Sequence, residues 1–260
     1  MTYLLFPAFI LLTISGFSQG LGSLENNLLQ KFNQIEHWSR DSVTPGKYDS
    51  LQYANKVFQK TLFHYASTNP NTIHATFTQL KNAGLTIATS SDGLFRIYSW
   101  DTQTGGTMRF FSNVYQYKDE HGVYARADPQ HTGDDAGAFY SDIYRLPANG
   151  KIYYLAIYHA ILSTKDCMQG IQTFSIRGHS LDDSVRIIKT SKGLANGIDF
   201  EYDFFSVVSR PERPVHLIDY DSAKRIIRIP VVTDDGAVTK RSILYRFTGQ
   251  YFQHISQSPE

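Results

Sequence analysis

Cysteine is almost absent from this chain. Of its 260 residues only Cys167 carries a thiol, so no internal disulfide can form, and a lone thiol reads as a small buried hydrophobe. An excess of charge is also lacking: 25 Lys+Arg stand against 24 Asp+Glu, a formal net charge of +1. That balance leaves no electrostatic footprint for nucleic acid or an anionic membrane surface. The sequence has no GxSxG or SxxK nucleophile motif, no HExxH or CxxC ligand spacing, and no Asp-x-Asp-x-Asp-Gly calcium loop. It has neither GxGxxG nor a P-loop. These absences argue against a nucleotide cofactor and a bound metal, and no residue is singled out as catalytic.

What the chain does have is aromatic rings. Seventeen Tyr, 17 Phe and 2 Trp make 14% of the residues, a composition suited to half-buried pleated surfaces. The N-terminus, MTYLLFPAFILLTISGFSQG, holds an apolar run from Tyr3 to Ile14 that is short for a bilayer span. Gly16 and Ser18 follow at the small-x-small spacing that signal peptidase accepts, although the basic n-region is missing. The expectation is a signal peptide over 1–18, cleaved after Ser18 and leaving Gln19 as the mature terminus. No cysteine follows the cleavage point, so a lipoprotein anchor is not expected. No integral span is expected after cleavage, and the protein should be periplasmic or secreted.

Residues 19–84 read as helical. Ser23 is a possible N-cap, and Leu24, Leu28, Phe32 and Ile35 recur at helical spacing, with Trp38 beyond them. After Thr44-Pro45-Gly46 a second stripe carries Leu51, Ala54, Phe58, Leu62 and Tyr65. A third helix is expected from Thr72 through Ile73, Phe77 and Leu80, stopped at Gly84. From residue 85 to 260 the period becomes two. About a dozen apolar runs are separated by turn signals such as Asp92-Gly93, Asn149-Gly150 and Asp235-Gly236. Short connections imply consecutive antiparallel pairing. The predicted class is α+β, mainly antiparallel β, as a sandwich, rolled sheet or barrel with an N-terminal helical segment. An incomplete propeller is the alternative, weakened because Gly93, Gly150 and Gly236 share no common period.

Few residues invite a functional reading. In GLFRIYSWDTQTGGTMRFF, residues 93 to 111, Trp100 could offer a flat platform beside Asp101, Thr104 and Thr107, a pairing suited to a sugar or peptide. Turn chemistry is the simpler account of the same residues, with Asp101 capping the loop, Trp100 in the core and Gly105-Gly106 making the bend. His131, Asp134 and Asp135 in PQHTGDDAG could ligate a metal, but a surface loop is the simpler account. His159, within the apolar run KIYYLAIYHAIL, should be buried and needs a partner, for which Asp142 is the candidate. In IDFEYDFF, Asp199, Glu201 and Asp203 share one face, and Lys224, Arg228, Lys240 and Arg246 could oppose them as a cross-strand charge ladder.

The signal ending GFSQ, the run DGLFRIYSWDTQTGGTMRFF and the segment FEYDFFSVVSRPERP resemble exported proteins of unknown function from Bacteroidota-like bacteria. The resemblance implies export and carries over no activity or site residue. Two function classes remain. The first is a non-catalytic binding module for a glycan, peptide or protein partner, with Trp100, Asp101, Thr104, Thr107, Asp142 and His159 as candidate ligand contacts. The second is a hydrolase in which His131 or His159 meets a carboxylate in an open cleft.

Overall fold

The computed structural model describes residues 13–129 and 135–255, with side chains from Gly20 onward. Residues 1–12 of the expected signal peptide, and His131 and Asp134 of the polar loop, lie outside the described residues. The chain opens with α1 (Thr13–Arg40), α2 (Lys47–Thr68) and the short α3 (Thr78–Asn82). Because α1 starts upstream of Ser23, that serine lies inside the helix and does not cap it. Its buried stripe is the expected one, Leu24, Leu28, Phe32 and Ile35, facing Leu51, Ala54, Phe58 and Leu62 of α2.

The single helix expected from Thr72 is instead two pieces, a 3₁₀ turn at Pro70–His74 and then α3, with Phe77 left-handed between them at φ 46°. The cause lies in competing partners. The Arg96 guanidinium takes the carbonyls of Thr72 and Ala75, and Glu25 Oε1 accepts from the Gln79 N–H at 2.7 Å. Ala75 and Gln79 would otherwise bond each other in a continuous helix.

Among the described residues, fifteen strands follow in three open sheets. The first is the meander β1 (Thr86–Thr89), β2 (Phe95–Asp101), β3 (Phe111–Lys118) and β4 (Val123–Ala127). The second contains β5 (Phe139–Ala148), β6 (Lys151–Ile161), β7 (Asp166–Arg177), β8 (Ser180–Asp182) and β11 (Gly197–Asp203). Its order is β11-β7-β6-β5, with β8 also on β7. The third joins β9 (Ile188–Thr190), β10 (Gly193–Ala195), β12 (Asp219–Asp221), β13 (Ile226–Val232), β14 (Val238–Phe247) and β15 (Phe252–Ile255) in the order β10-β9-β15-β14-β13-β12. Every pairing is antiparallel except β9 with β15. The class is therefore α+β and mainly antiparallel. At the β5–β6 hairpin, Asn149 and Gly150 have φ of 51° and 70°, the two positive values that a tight Asn-Gly turn demands.

The core is layered. Tyr98, Trp100 and Val114 on one face of the first sheet pack against the helices. Phe95, Ile97, Tyr115 and Tyr117 on its other face meet Tyr140, Tyr154 and Phe174 of the second sheet. The second sheet's opposite face, with Leu155, Ile157 and Ile171, meets Ile227, Ile229, Tyr245 and Phe252 of the third. The first and second sheets are thus covered on both faces, and this decides the fate of their polar residues.

The expected charge ladder does not form. β11 pairs with β7, setting Asp199, Glu201 and Asp203 opposite Gly170, Met168 and Asp166. The basic residues named for it lie on the third sheet or its turns, where Arg228 stands opposite Asp219 and Lys224 reaches Asp221 at 3.6 Å. Asp203 is satisfied locally, by the Phe205 N–H at 2.8 Å and Lys165 at 3.6 Å. No helix among the described residues is long and apolar enough to cross a membrane.

Candidate functional site

The DTQTGG break is a self-bonded loop. The Gln103 N–H donates to Asp101 Oδ1 at 2.7 Å. Thr102 donates through both its N–H and its hydroxyl to Phe110 O, at 2.8 and 2.9 Å. The Thr104 hydroxyl is 2.8 Å from that of Thr102. Gly105 is required here, since a Cβ would stand 2.1 Å from Met108 O. Trp100 is 1% exposed; its ring meets Phe58 edge-on at 5.1 Å, and Nε1 donates to Asn55 Oδ1 at 3.0 Å. The indole therefore has no free face to offer a ligand, and it belongs to the core. Thr107 is exposed. Asp101 and Arg109, 3.4 Å apart, face Glu36 and Arg40 of α1 across a hollow of about 470 Å³. Burial raises the Asp101 pKa, against the opposing pull of the Gln103 N–H and Arg109.

His159 is buried as expected, but Asp142 is not its partner. Asp142 Oδ2 lies 3.5 Å from Nδ1 of His216 instead, and in the β5–β6 ladder it is Phe139 that stands opposite His159. Ser141 Oγ is 2.9 Å from His159 Nε2, and Gln169 Nε2 is 3.0 Å from Nδ1. Phe139 stacks on the ring at 4.8 Å.

A serine beside a histidine resembles a nucleophile and its base, so the position of the proton decides what the pair can do. Gln169 Oε1 accepts from the N–H groups of Leu217 and Ile218, at 2.8 and 2.6 Å. Those two donors fix the amide's orientation. Its Nε2 must then donate, both to Val215 O at 2.7 Å and to His159 Nδ1. Nδ1 is thus the acceptor, the ring proton sits on Nε2, and it points at Ser141. A base for Ser141 would need the other tautomer. Burial, reinforced by His216, also lowers the His159 pKa to about 3, so the ring is neutral. The pair is a hydrogen-bonded core node and does not activate a hydroxyl.

An open surface lies on the opposite side of the helical layer. Gln30, Lys31, Gln34 and Trp38 form a stripe on α1, and Asp49, Ser50, Tyr53, Ala54 and Val57 form one on α2. Both repeat at one-turn intervals, so the stripes face each other along a groove of about 660 Å³. Tyr53 is 70% exposed, and Trp38 is half-buried beside His37, with ring centroids 5.0 Å apart. Sequence reading placed Trp38 at the end of the α1 core stripe and passed over Tyr53. The available signal was that Tyr53 and Val57 fall off the stripe Leu51, Ala54, Phe58 and Leu62. No group of three or more His, Cys, Asp or Glu among the described residues is placed to hold a metal. Searches for a matching protein-family model and for a matching curated protein both return nothing.

Proposed function

We propose that the protein is an exported, non-catalytic binding module whose α1–α2 groove takes a glycan. The observation that carries the reading is the pairing of two accessible aromatic rings, Trp38 and Tyr53, with Gln30, Gln34, Asp49 and Ser50 along one groove. Sugar rings present C–H faces to aromatic side chains and hydroxyls to amides and carboxylates, and this groove supplies both. The His159 form of the hydrolase alternative loses support from that ring's tautomer, and His131 lies outside the described residues.

Only two tryptophans exist, and one is sealed in the core, so a ligand-induced change in indole fluorescence reports on Trp38. Titration with cello-, chito- and malto-oligosaccharides should shift the emission of one of these series saturably, and Trp38→Ala should weaken that binding at least about tenfold, as expected for a stacked anchor. Trp38 packs against the helical core, so the variant should lose some thermal stability as well, and affinity is compared on the folded fraction. A saturable response to peptides in place of sugars, or full affinity in Trp38→Ala, would refute the glycan reading.

Export is proposed on the apolar run Tyr3 to Ile14 followed by Gly16 and Ser18. Cleavage after Ser18 would leave Leu21, Leu24 and the rest of the described α1 core stripe in the mature chain. Mass spectrometry of the native protein should find Gln19 at the terminus; an intact Met1 in the cytosol would overturn the proposal.

A further inference from the structure

Arg96 lies on β2, on the face that meets the helices, and is only 4% exposed. Its Nη1 and Nη2 donate to the carbonyls of Thr72 and Ala75 at 2.5 and 2.6 Å. The rings of Phe77 and Tyr98 flank it, with centroids 5.7 and 5.2 Å away. Its Nε–H has no acceptor, and among the described residues no carboxylate pairs with it. A guanidinium withdrawn from water ordinarily meets an anion, because carbonyl dipoles and ring faces replace only part of the lost hydration. Here no such anion is supplied by the described residues.

Arg96 forms part of the wall of a hollow of about 360 Å³, with His74, Thr76, Lys81, Ser91 and Asp92 also around it. Asp92 is engaged elsewhere: Tyr154 Oη and Ser90 Oγ donate to it at 3.1 and 2.7 Å, and Arg145 pairs with it at 3.0 Å. The His74 ring rests on Gly93, where a Cβ would stand 2.4 Å from the imidazole. Gly93 has a φ of 67°, so turn geometry and ring packing fix the residue together. Lys81 is exposed at the rim. The hollow therefore combines a buried guanidinium that has no carboxylate partner among the described residues with an ammonium, an imidazole and short hydroxyls.

We infer that this hollow binds a tetrahedral oxyanion, the phosphate or sulfate group of a small molecule. Arg96 would ground the charge from beneath while Lys81 and His74 close on it from the rim. Hydroxyls of Thr76 and Ser91 supply donors suited to the remaining oxygens. This inference is independent of the glycan groove, which lies on other residues, and failure of either leaves the other standing.

The test is titration of the full mature chain with inorganic phosphate and with sulfate at constant ionic strength, followed by calorimetry and by the Arg96 Nε–H resonance. A buried Nε–H should be visible and should shift saturably. Lys81→Glu, a change at an exposed side chain, should weaken phosphate at least about tenfold while leaving the phosphate-free melting temperature unchanged. A parallel arm with a sugar phosphate separates a free-anion site from a site for a phosphorylated ligand, since only the latter gains affinity from the sugar; either result supports the site. No saturable response to phosphate, sulfate or the sugar phosphate, or undiminished affinity in Lys81→Glu, overturns it.

Discussion

Trp100→Ala is expected to cost about 3–5 kcal/mol of stability, the range for a large aromatic truncated in a packed core. The residue is 1% exposed and lies between the first sheet and α2. Truncation removes the edge-on contact with Phe58 and strips Asn55 Oδ1 of its indole donor. Asn55 Nδ2 would still donate to Leu51 O and Thr102 O, at 3.0 and 2.9 Å, so the side chain stays pinned with one buried acceptor unmet. Trp100→Phe keeps most of the ring and loses the N–H, and should cost about 1–2 kcal/mol. Chemical denaturation gives these values. Glycan and phosphate affinities measured on the same samples should match wild type in the folded fraction. A stable Trp100→Ala protein that has lost ligand binding would return the DTQTGG loop to the site.

The contrast between Trp100 and Trp38 shows how far the sequence could be read. Alternation located most long strands, since Phe95, Ile97 and Tyr154, Ala156 keep period two along their faces. Turn residues placed the β5–β6 hairpin because Asn149-Gly150 needs two positive φ values. Alternation says nothing, however, of a face covered by another layer. Ser99, Asn113 and Gln116 are polar residues that are at most 1% exposed, bonded within the first sheet or to Thr72 and Ala66. The strands β8, β10 and β15 are three or four residues long, too short for any period to register. The parallel β9–β15 pair joins segments 64 residues apart in sequence with only two register pairs, Phe252 with Ile188 and Gln253 with Lys189. No local signal encodes such a contact.

The same reasoning explains why the His159 partner was misassigned. Asp142 is the charged residue near it in the strand pattern, but Phe139 stands opposite His159 in the ladder, and Ser141, two residues further along the same strand, is the side chain that reaches Nε2. The other partner, Gln169, lies in KDCMQG, a stretch with too little apolar content to read as a strand, although β7 begins at Asp166. Buried hydrogen-bonding nodes of this kind are polar letters in an apolar place, and a two-letter pattern files them as loop.

Gln169 gives the second large effect. Its amide makes four contacts: it accepts from Leu217 and Ile218 and donates to Val215 O and His159 Nδ1. Gln169→Leu keeps the volume but leaves two backbone N–H groups, a carbonyl and His159 Nδ1 without partners, and at about 1–3 kcal/mol for each the loss should be at least about 4 kcal/mol. The pH dependence then separates the node from mere packing. In the wild type His159 has its pKa lowered from 6.5 to about 3. The unfolded chain binds the proton more readily, so the stabilisation is complete above 6.5 and is lost as pH falls toward 3. Over that window the slope is about 1.4 kcal/mol per pH unit from this group. Gln169→Glu should reverse the sign. A carboxylate still accepts from Leu217 and Ile218, but it turns an acceptor toward Nδ1, which must then carry a proton. His159 would be held above 6.5, and its stabilisation would be present in acid and lost as pH rises. Denaturation of both proteins across pH 4 to 8 measures the two slopes, with 1H–15N spectra of the imidazole reporting the tautomer. Parallel slopes in Gln169→Glu and wild type, with the ring proton on Nδ1 in both, would show that Gln169 does not set the histidine's state. Ser141 would then regain its claim to a catalytic base.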